Sequence, residues 1–268
     1  MPIDPIYLAT AVEGALAAGR IHRRYFRGEA EVRKKGRIDL VTAADLEAER
    51  MFRDLVGRRF PSHVVVGEEA GLAAAPAGEF RWILDPVDGT TNFAHGLALF
   101  SVSIALEIAG ELTVGVVYDP IGEELFTAER GQGARLNGAL LRVSATATLE
   151  DALLCTGFPY TIREERRRQV QVFAAFLEEA QAVRRLGSAA LDLAYVAAGR
   201  FDGFWEERLF PWDVAAGALL ITEAGGRVSG LDGAAFDAFS GHILASNGLV
   251  HDAMLDVVGK ARRSDPLA

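Results

Sequence analysis

The segment Asp85-Pro86-Val87-Asp88-Gly89-Thr90-Thr91-Asn92-Phe93 carries the residues of this chain best suited to chemistry. The apolar run Trp82-Ile83-Leu84 predicts a strand that ends at Asp85, and Pro86 and Gly89 force a turn beyond it. Asp85 and Asp88 then face one point, and the Val87 carbonyl is left free to coordinate. Thr90-Thr91-Asn92 reads as a helix start, whose first N–H groups lack partners within the helix and suit an anion. Carboxylates and a carbonyl converging on such a terminus suit a hard cation that bridges to phosphate oxygens, which points to Mg²⁺. That combination is phosphoryl-hydrolysis chemistry, with one metal acidifying a water and another stabilising the leaving oxygen.

Acidic residues also stand at strand ends and turns in Gly67-Glu68-Glu69, Thr42-Ala43-Ala44-Asp45 and Pro211-Trp212-Asp213. Read alone, each has a plainer role. Asp45 follows Thr42 at capping-box spacing, Asp213 falls in the first turn of a helix, and Glu68-Glu69 is a solvated pair. Even Asp85 to Gly89 fits an ordinary acidic turn. Packed together, however, these carboxylates would repel one another and rise in pKa unless cations neutralised them. The five histidines show no ligand spacing and read as structural or surface residues. Cys155, the single cysteine, lies between apolar residues and reads as a small buried side chain. Gly131-Gln132-Gly133 is a turn without the strand-to-helix setting of a dinucleotide site.

The elements that must position these groups follow from periodicity and punctuation. Helices are expected over about 5–27, from Thr42 to about Arg59, over 163–180, from Gly187-Ser188 to Ala198, over 213–224 and near 250–261. Strands are expected at 63–67, 81–85, 124–128, 153–155, 201–206 and 242–245, with a hairpin of 101–109 and 112–118 around Gly110-Glu111. A meander followed by alternating helix and strand implies a layered mixed α and β fold of two tightly associated halves, 1–150 and 151–268.

The chain has 268 residues, 50% of them hydrophobic and 24% charged, which excludes disorder. Its longest charge-free apolar stretches, such as 94–106, fall short of a membrane span, and the N-terminus carries no secretion signal. With one cysteine and no cysteine-rich zinc site, the expectation is a soluble, cytoplasmic protein. The net charge of −9 argues against nucleic-acid or anionic-membrane partners, so bound metal rather than the bulk field would attract a phosphorylated substrate. The basic residues are almost all Arg; the lysines are Lys34, Lys35 and Lys260.

Taken together, these segments resemble the inositol monophosphatase family of Mg²⁺-dependent, lithium-sensitive phosphatases. Asp85 to Phe93 resembles its first signature and Trp212-Asp213-Val214-Ala215-Ala216-Gly217 its second. Gly67-Glu68-Glu69 and Asp39-Leu40-Val41-Thr42-Ala43-Ala44-Asp45 match further segments in the right order. The resemblance implies an α/β/α/β/α sandwich forming one domain over 1–268, usually a homodimer. It implies that Glu68, Asp85 and the Val87 carbonyl hold a first Mg²⁺ and that Asp85, Asp88 and Asp213 hold a second. Glu68 would help place a third through water.

By the same resemblance Thr90 and Asp45 orient and deprotonate the attacking water, and the Gly89 and Thr90 amides cradle the phosphate. Glu206 and the Gly187-Ser188-Ala189 turn contact hydroxyls of the leaving alcohol, and Lys34 matches a basic position in a mobile loop. Glu206 favours a polyol, since a carboxylate accepts hydrogen bonds from neighbouring hydroxyls. The expected reaction is therefore hydrolysis of inositol-1-phosphate. Alternatives are fructose-1,6-bisphosphate or histidinol phosphate hydrolysis on the same metal core, or a regulatory binding protein with weak turnover. Arginines at 163–168 could serve a second phosphate, or simply form a solvated helix face.

Overall fold

The computed structural model describes residues 3–26, 32–34, 40–71, 78–159 and 162–263, with the side chains of 32–34, 40–41 and 163–167 outside the description. Helix α1 (Pro5–Tyr25) starts where the Asp4 carboxylate accepts the Ile6 N–H, with Pro5 already set at a helical φ. Strands β1 (Val32–Lys34) and β2 (Leu40–Thr42) form a small antiparallel pair that leads into α2 (Ala43–Arg59). There Thr42 and Asp45 form a capping box.

A seven-stranded sheet follows. It runs through β3 (Val64–Gly67), β4 (Phe80–Asp88), β5 (Ser101–Ile108), β6 (Glu111–Asp119), β7 (Glu124–Glu129), β8 (Gly133–Leu136) and β9 (Ala139–Leu140) in that order. Only β3 and β4 pair in parallel; the rest is an antiparallel meander. Helix α3 (Thr90–Ala94) sits in the β4–β5 connection. The second sheet has five strands in the order β11 (Ala182–Arg184), β10 (Leu153–Thr156), β12 (Gly203–Glu207), β14 (His242–Ser246) and β13 (Arg227–Ser229). Its helices are α4 (Ile162–Glu179), α5 (Ala189–Ala197), α6 (Pro211–Glu223) and α7 (His251–Arg263).

The helices fall into layers because each apolar face has a sheet to cover. Helices α1 and α2 pack on one face of the large sheet, burying Ala11, Ala15, Phe52 and Val56 against Trp82, Leu84, Ile104 and Val116. Helices α5 and α6 lie between the sheets, where Leu191, Ala194, Ala216 and Leu220 meet Ile83, Val117, Phe204 and Ala245. Helices α4 and α7 close the far face, with Phe176 stacked on Trp205 at 4.0 Å and Met254 buried. The result is the expected α/β/α/β/α sandwich. The middle helix layer belongs to both sheets, so its core is shared.

The elements lie close to their expected bounds. The short strands β1, β2, β8, β9, β11 and β13 are not among the expected elements, because so few residues carry no usable alternation. No described helix is long and apolar enough to cross a membrane.

Candidate active site

The site grows from the parallel pairing of β3 with β4. Gly67 lies opposite Leu84, so Glu68 and Asp85 leave the carboxyl ends of two neighbouring strands side by side. The Glu68 N–H donates to the Leu84 carbonyl at 3.2 Å and holds that register. Open sheets place ligands at such carboxyl ends. The Glu49 carboxylate of α2 accepts the Glu69 N–H at 2.9 Å, while Arg53 grips Glu49 and the Val65 carbonyl.

Beyond Asp85 the ladder with β5 breaks, and Asp88 comes to lie opposite Ser101. This irregularity, together with Pro86, turns Asp85 and Asp88 toward one side. Asp85 Oδ1 accepts the Val87 N–H at 2.9 Å, which fixes the carboxylate. From α1, His22 Nε2–H donates to the Pro86 carbonyl at 2.8 Å, so the ring proton sits on Nε2. His22 is fully buried between Phe93 and Phe100, and burial pushes its pKa down to about 4. It is a structural histidine, as expected, but one that braces the turn.

Gly89 ends the turn at φ 93°, in the left-handed region, and a Cβ there would lie 3.0 Å from the Leu99 carbonyl oxygen. Both facts require glycine. Helix α3 then begins at Thr90 as expected. The Thr90 hydroxyl lies 2.9 Å from the Val87 carbonyl and 3.4 Å from Asp45 Oδ1, so its single proton chooses between them. Asp45 Oδ2 takes the N–H and hydroxyl of Thr42. The capping role and a place in the acidic site therefore coexist in one residue.

The other sheet's helices complete the cluster. Ser188 stands at the N-cap of α5, yet its hydroxyl makes no capping bond. It donates to Asp88 Oδ2, joined by the Ala190 N–H at 2.9 Å, while the Ala189 N–H reaches Asp88 Oδ1 at 3.2 Å. Asp213 sits in the first turn of α6 with Oδ2 accepting the Phe210 N–H at 2.7 Å. Ser103 of β5 donates to the Trp212 carbonyl at 2.9 Å and pins that turn to the large sheet.

Two groups of carboxylates result. Asp85, Asp88 and Asp213 offer oxygens all within 4.8 Å of one another, and so do Asp45, Glu68 and Glu69. Burial, then the surrounding negative charge, pushes Asp85 and Asp213 well above the carboxylate range. Burial lifts Asp45 to about 7 and Asp88 to about 6, with the donors from Ser188, Ala190 and Ala189 holding the latter down. Clustered acids of this kind are stable as anions only beside cations, and their hard oxygens suit a divalent metal.

A cavity of about 380 Å³ opens on the first group. Glu68, Asp85, Val87, Asp88, Gly89, Thr90, Gly187, Ser188, Ala189, Glu206 and Asp213 all border it, so the structure gathers these expected site residues into one place. Asp45 reaches it through Thr90. Lys34 lies in β1 opposite Leu40, and its side chain is outside the described residues. The same holds for the side chains of 163–167, while Arg168 pairs with Glu207. Glu206 sits in β12 and lines the cavity, and burial raises its carboxyl to about 8. Any Cβ on Gly157 would overlap that carboxylate.

Three groups near the site were not foreseen. Glu69 joins Asp45 and Glu68, and Asp192 and Arg185 border the cavity near Glu206. Asp192 did carry a signal: a lone acid inside the apolar run Ala189-Ala190-Leu191-Asp192-Leu193.

A sequence profile of the inositol monophosphatase family matches residues 6–263. The chain belongs to the inositol monophosphatase family. Within it, the chain is 46% identical over 250 residues to the protein named Nus factor SuhB of Escherichia coli (strain K12), covering 92% of this chain and 94% of that one. It is 44% identical over 256 residues to the inositol-1-monophosphatase of Mesorhizobium japonicum, covering 94% and 96%. The solved inositol monophosphatase of Anabaena (Nostoc) sp. PCC 7120 superposes with a TM-score of 0.87 at 42% identity, covering 96% of each chain. Family membership makes this chain a phosphatase, and the acidic groups are where its metal would bind.

Proposed function

We propose that the chain is a Mg²⁺-dependent phosphomonoesterase that hydrolyses inositol-1-phosphate to inositol and phosphate. The observation that carries the reading is the convergence of Asp85, Asp88 and Asp213 on a cavity that Glu206 also lines. The donor set fits the metal. It is all carboxylate and carbonyl oxygen, and Asp85, Asp88 and Asp213 each spend a bond on a neighbour that orients them. Glu68, Asp85 and the Val87 carbonyl would hold one Mg²⁺, and Asp85, Asp88 and Asp213 another, with Glu68 helping to place a third. When bound, the cations supply Lewis acidity to phosphate and water oxygens and neutralise the acid cluster.

The chain's own groups then divide the work. Thr90 Oγ1 orients a water at the phosphate and passes its hydroxyl proton to Asp45 Oδ1, 3.4 Å away, as it gains one from that water. Asp45, lifted to about 7, is matched to such a task near neutral pH. Amides of Gly89 and Thr90 hold phosphate oxygens. Glu206, Gly187, Ser188 and Ala189 line the side of the leaving alcohol, and the Glu206 carboxyl, which burial lifts to about 8, hydrogen-bonds its hydroxyls. Lithium inhibition, a homodimer and a cytoplasmic location belong to the same proposal.

The test is phosphate release from inositol-1-phosphate, fructose-1,6-bisphosphate and histidinol phosphate, with Mg²⁺ and with EDTA. Turnover that needs Mg²⁺ and is fastest on inositol-1-phosphate is expected. Turnover confined to another ester discards the substrate, and turnover untouched by EDTA discards the metal chemistry.

The name of the Escherichia coli relative favours a second reading, a regulatory role in complex with transcription machinery. Stoichiometric binding of purified transcription-complex proteins by a turnover-dead Asp213→Asn chain would support it. No binding would remove it.

A further inference from the structure

The alcohol end of the cavity holds a second acid that the reaction above leaves without a task. Asp192 lies in α5 among Ala190, Leu191, Leu193 and Ala194, all fully buried, and is itself only 1% exposed. It borders the same cavity as Glu206. Its Oδ1 is buried and has no hydrogen-bond partner among the described residues. Leaving a buried acceptor unmet costs a fold more than making its bond would return. An apolar residue would fit the helix better, so the acid is retained against its local cost.

No neighbour among the described residues removes that cost. The Cys155 thiol points at backbone carbonyls, of Gly203 at 3.6 Å and of Asp192 itself at 4.0 Å. Burial, and after it the neighbouring Glu206 and Asp88 carboxyls, push the Asp192 carboxyl up. Arg185 borders the cavity near both acids and acts on both in the opposite sense. Among the described residues nothing donates to Oδ1, and the carboxyl borders the cavity, where the hydroxyl of a bound alcohol is a fitting donor.

We infer that Asp192 is a second hydroxyl acceptor of the leaving-group pocket, which with Glu206 selects phosphate esters of alcohols bearing at least two further hydroxyls. This rests on the polyol reading of the pocket given above. The chemistry is asymmetric. A polyol meets both carboxylates with donors, whereas a plain aryl or alkyl ester leaves them unmet. Sites built to bond hydroxyls reject analogues lacking them far more strongly than apolar pockets reject a missing methylene.

The experiment compares kcat/KM for inositol-1-phosphate and phenyl phosphate at saturating Mg²⁺, in the wild-type chain, Asp192→Leu and Asp192→Ala. Leucine preserves the bulk within an apolar helix, and alanine removes it. The ratio of the two kcat/KM values is expected to fall about tenfold in both variants, mainly through KM for inositol-1-phosphate, as for loss of one buried hydrogen bond. Because both substrates are read on one preparation, any misfolded fraction cancels from the ratio. Wild-type selectivity that persists in both variants overturns the inference alone. A wild-type ratio near one removes the polyol reading, and this inference with it.

Discussion

Ser188 gives its hydroxyl proton to Asp88 Oδ2 and so ties the start of α5 to the end of β4 across 100 positions of sequence. The bond does no capping work for its own helix. It orients a carboxylate from a distance, and such supports around a metal ligand are worth about 10–100-fold in affinity. Ser188→Ala should therefore raise the Mg²⁺ concentration needed for half-maximal phosphate release by about tenfold or more. Activity recovered by added Mg²⁺ is the expected signature, and an unshifted Mg²⁺ curve would show the bond to be idle.

Asp213→Asn tests the cluster directly. Removing one of three facing carboxylates should cut turnover by about 100-fold or more and lower Mg²⁺ affinity together. Mg²⁺ should also raise the Tm of the wild-type chain, because a ligand that binds only the native state stabilises it by mass action. The variant should show a smaller rise. Thermal scans with EDTA and with Mg²⁺ check both halves.

His22 makes a pH prediction with a definite sign. Its folded pKa is about 4 against an ordinary 6.5, so between these values the unfolded chain binds more protons than the native one. Stability should rise with pH across that window and owe nothing further to His22 above 6.5. The contribution at stake is about 3 kcal/mol, from roughly 1.4 kcal/mol per pKa unit. His22→Gln keeps a donor for the Pro86 carbonyl and removes the titration. Urea unfolding at pH 4.5 and 7 should show a smaller acid loss in the variant.

Glu206 behaves in the opposite direction. Burial raises it to about 8 from an ordinary 4.5, so in between the native state holds a proton that the unfolded state has lost. The group therefore costs stability increasingly as pH rises through that range. Glu206→Gln should raise the Tm of the metal-free chain at pH 8 while raising KM for inositol-1-phosphate. A variant neither more stable nor weaker in substrate affinity would contradict both assignments. The expected trade of stability against activity is common at functional sites.

Legibility in the sequence followed the range of each interaction. The turn at Asp85 to Gly89 was readable because Pro86, Gly89 and the apolar run before them act locally, and the 101–118 hairpin because Gly110 sits at φ 87° between two apolar strands. Glu68-Glu69 resembled a solvated pair because nothing local reveals that Gly67 pairs with Leu84. The second task of Ser188 was hidden for the same reason. Asp192 was overlooked because its helix follows the apolar pattern of a core element, and an orphaned oxygen shows only once its neighbours are packed around it. Strands β9 and β11 are too short to leave a period.

The shared middle layer also fixes when the centre can exist during synthesis. Asp85 and Asp88 leave the ribosome early, but their neighbours on α5 and α6 arrive only once Ser188 and Asp213 have been made. Until then the large sheet lacks the helices that cover its inner face. Chains grow at about 5–20 residues per second, so the interval between Asp88 and Asp213 lasts on the order of ten seconds. During it the nascent chain exposes an apolar sheet, with the Asp85 and Asp88 carboxylates at its rim. Chaperone capture of arrested nascent chains should therefore be strongest for those ending between these two residues, and weakest once α6 has emerged.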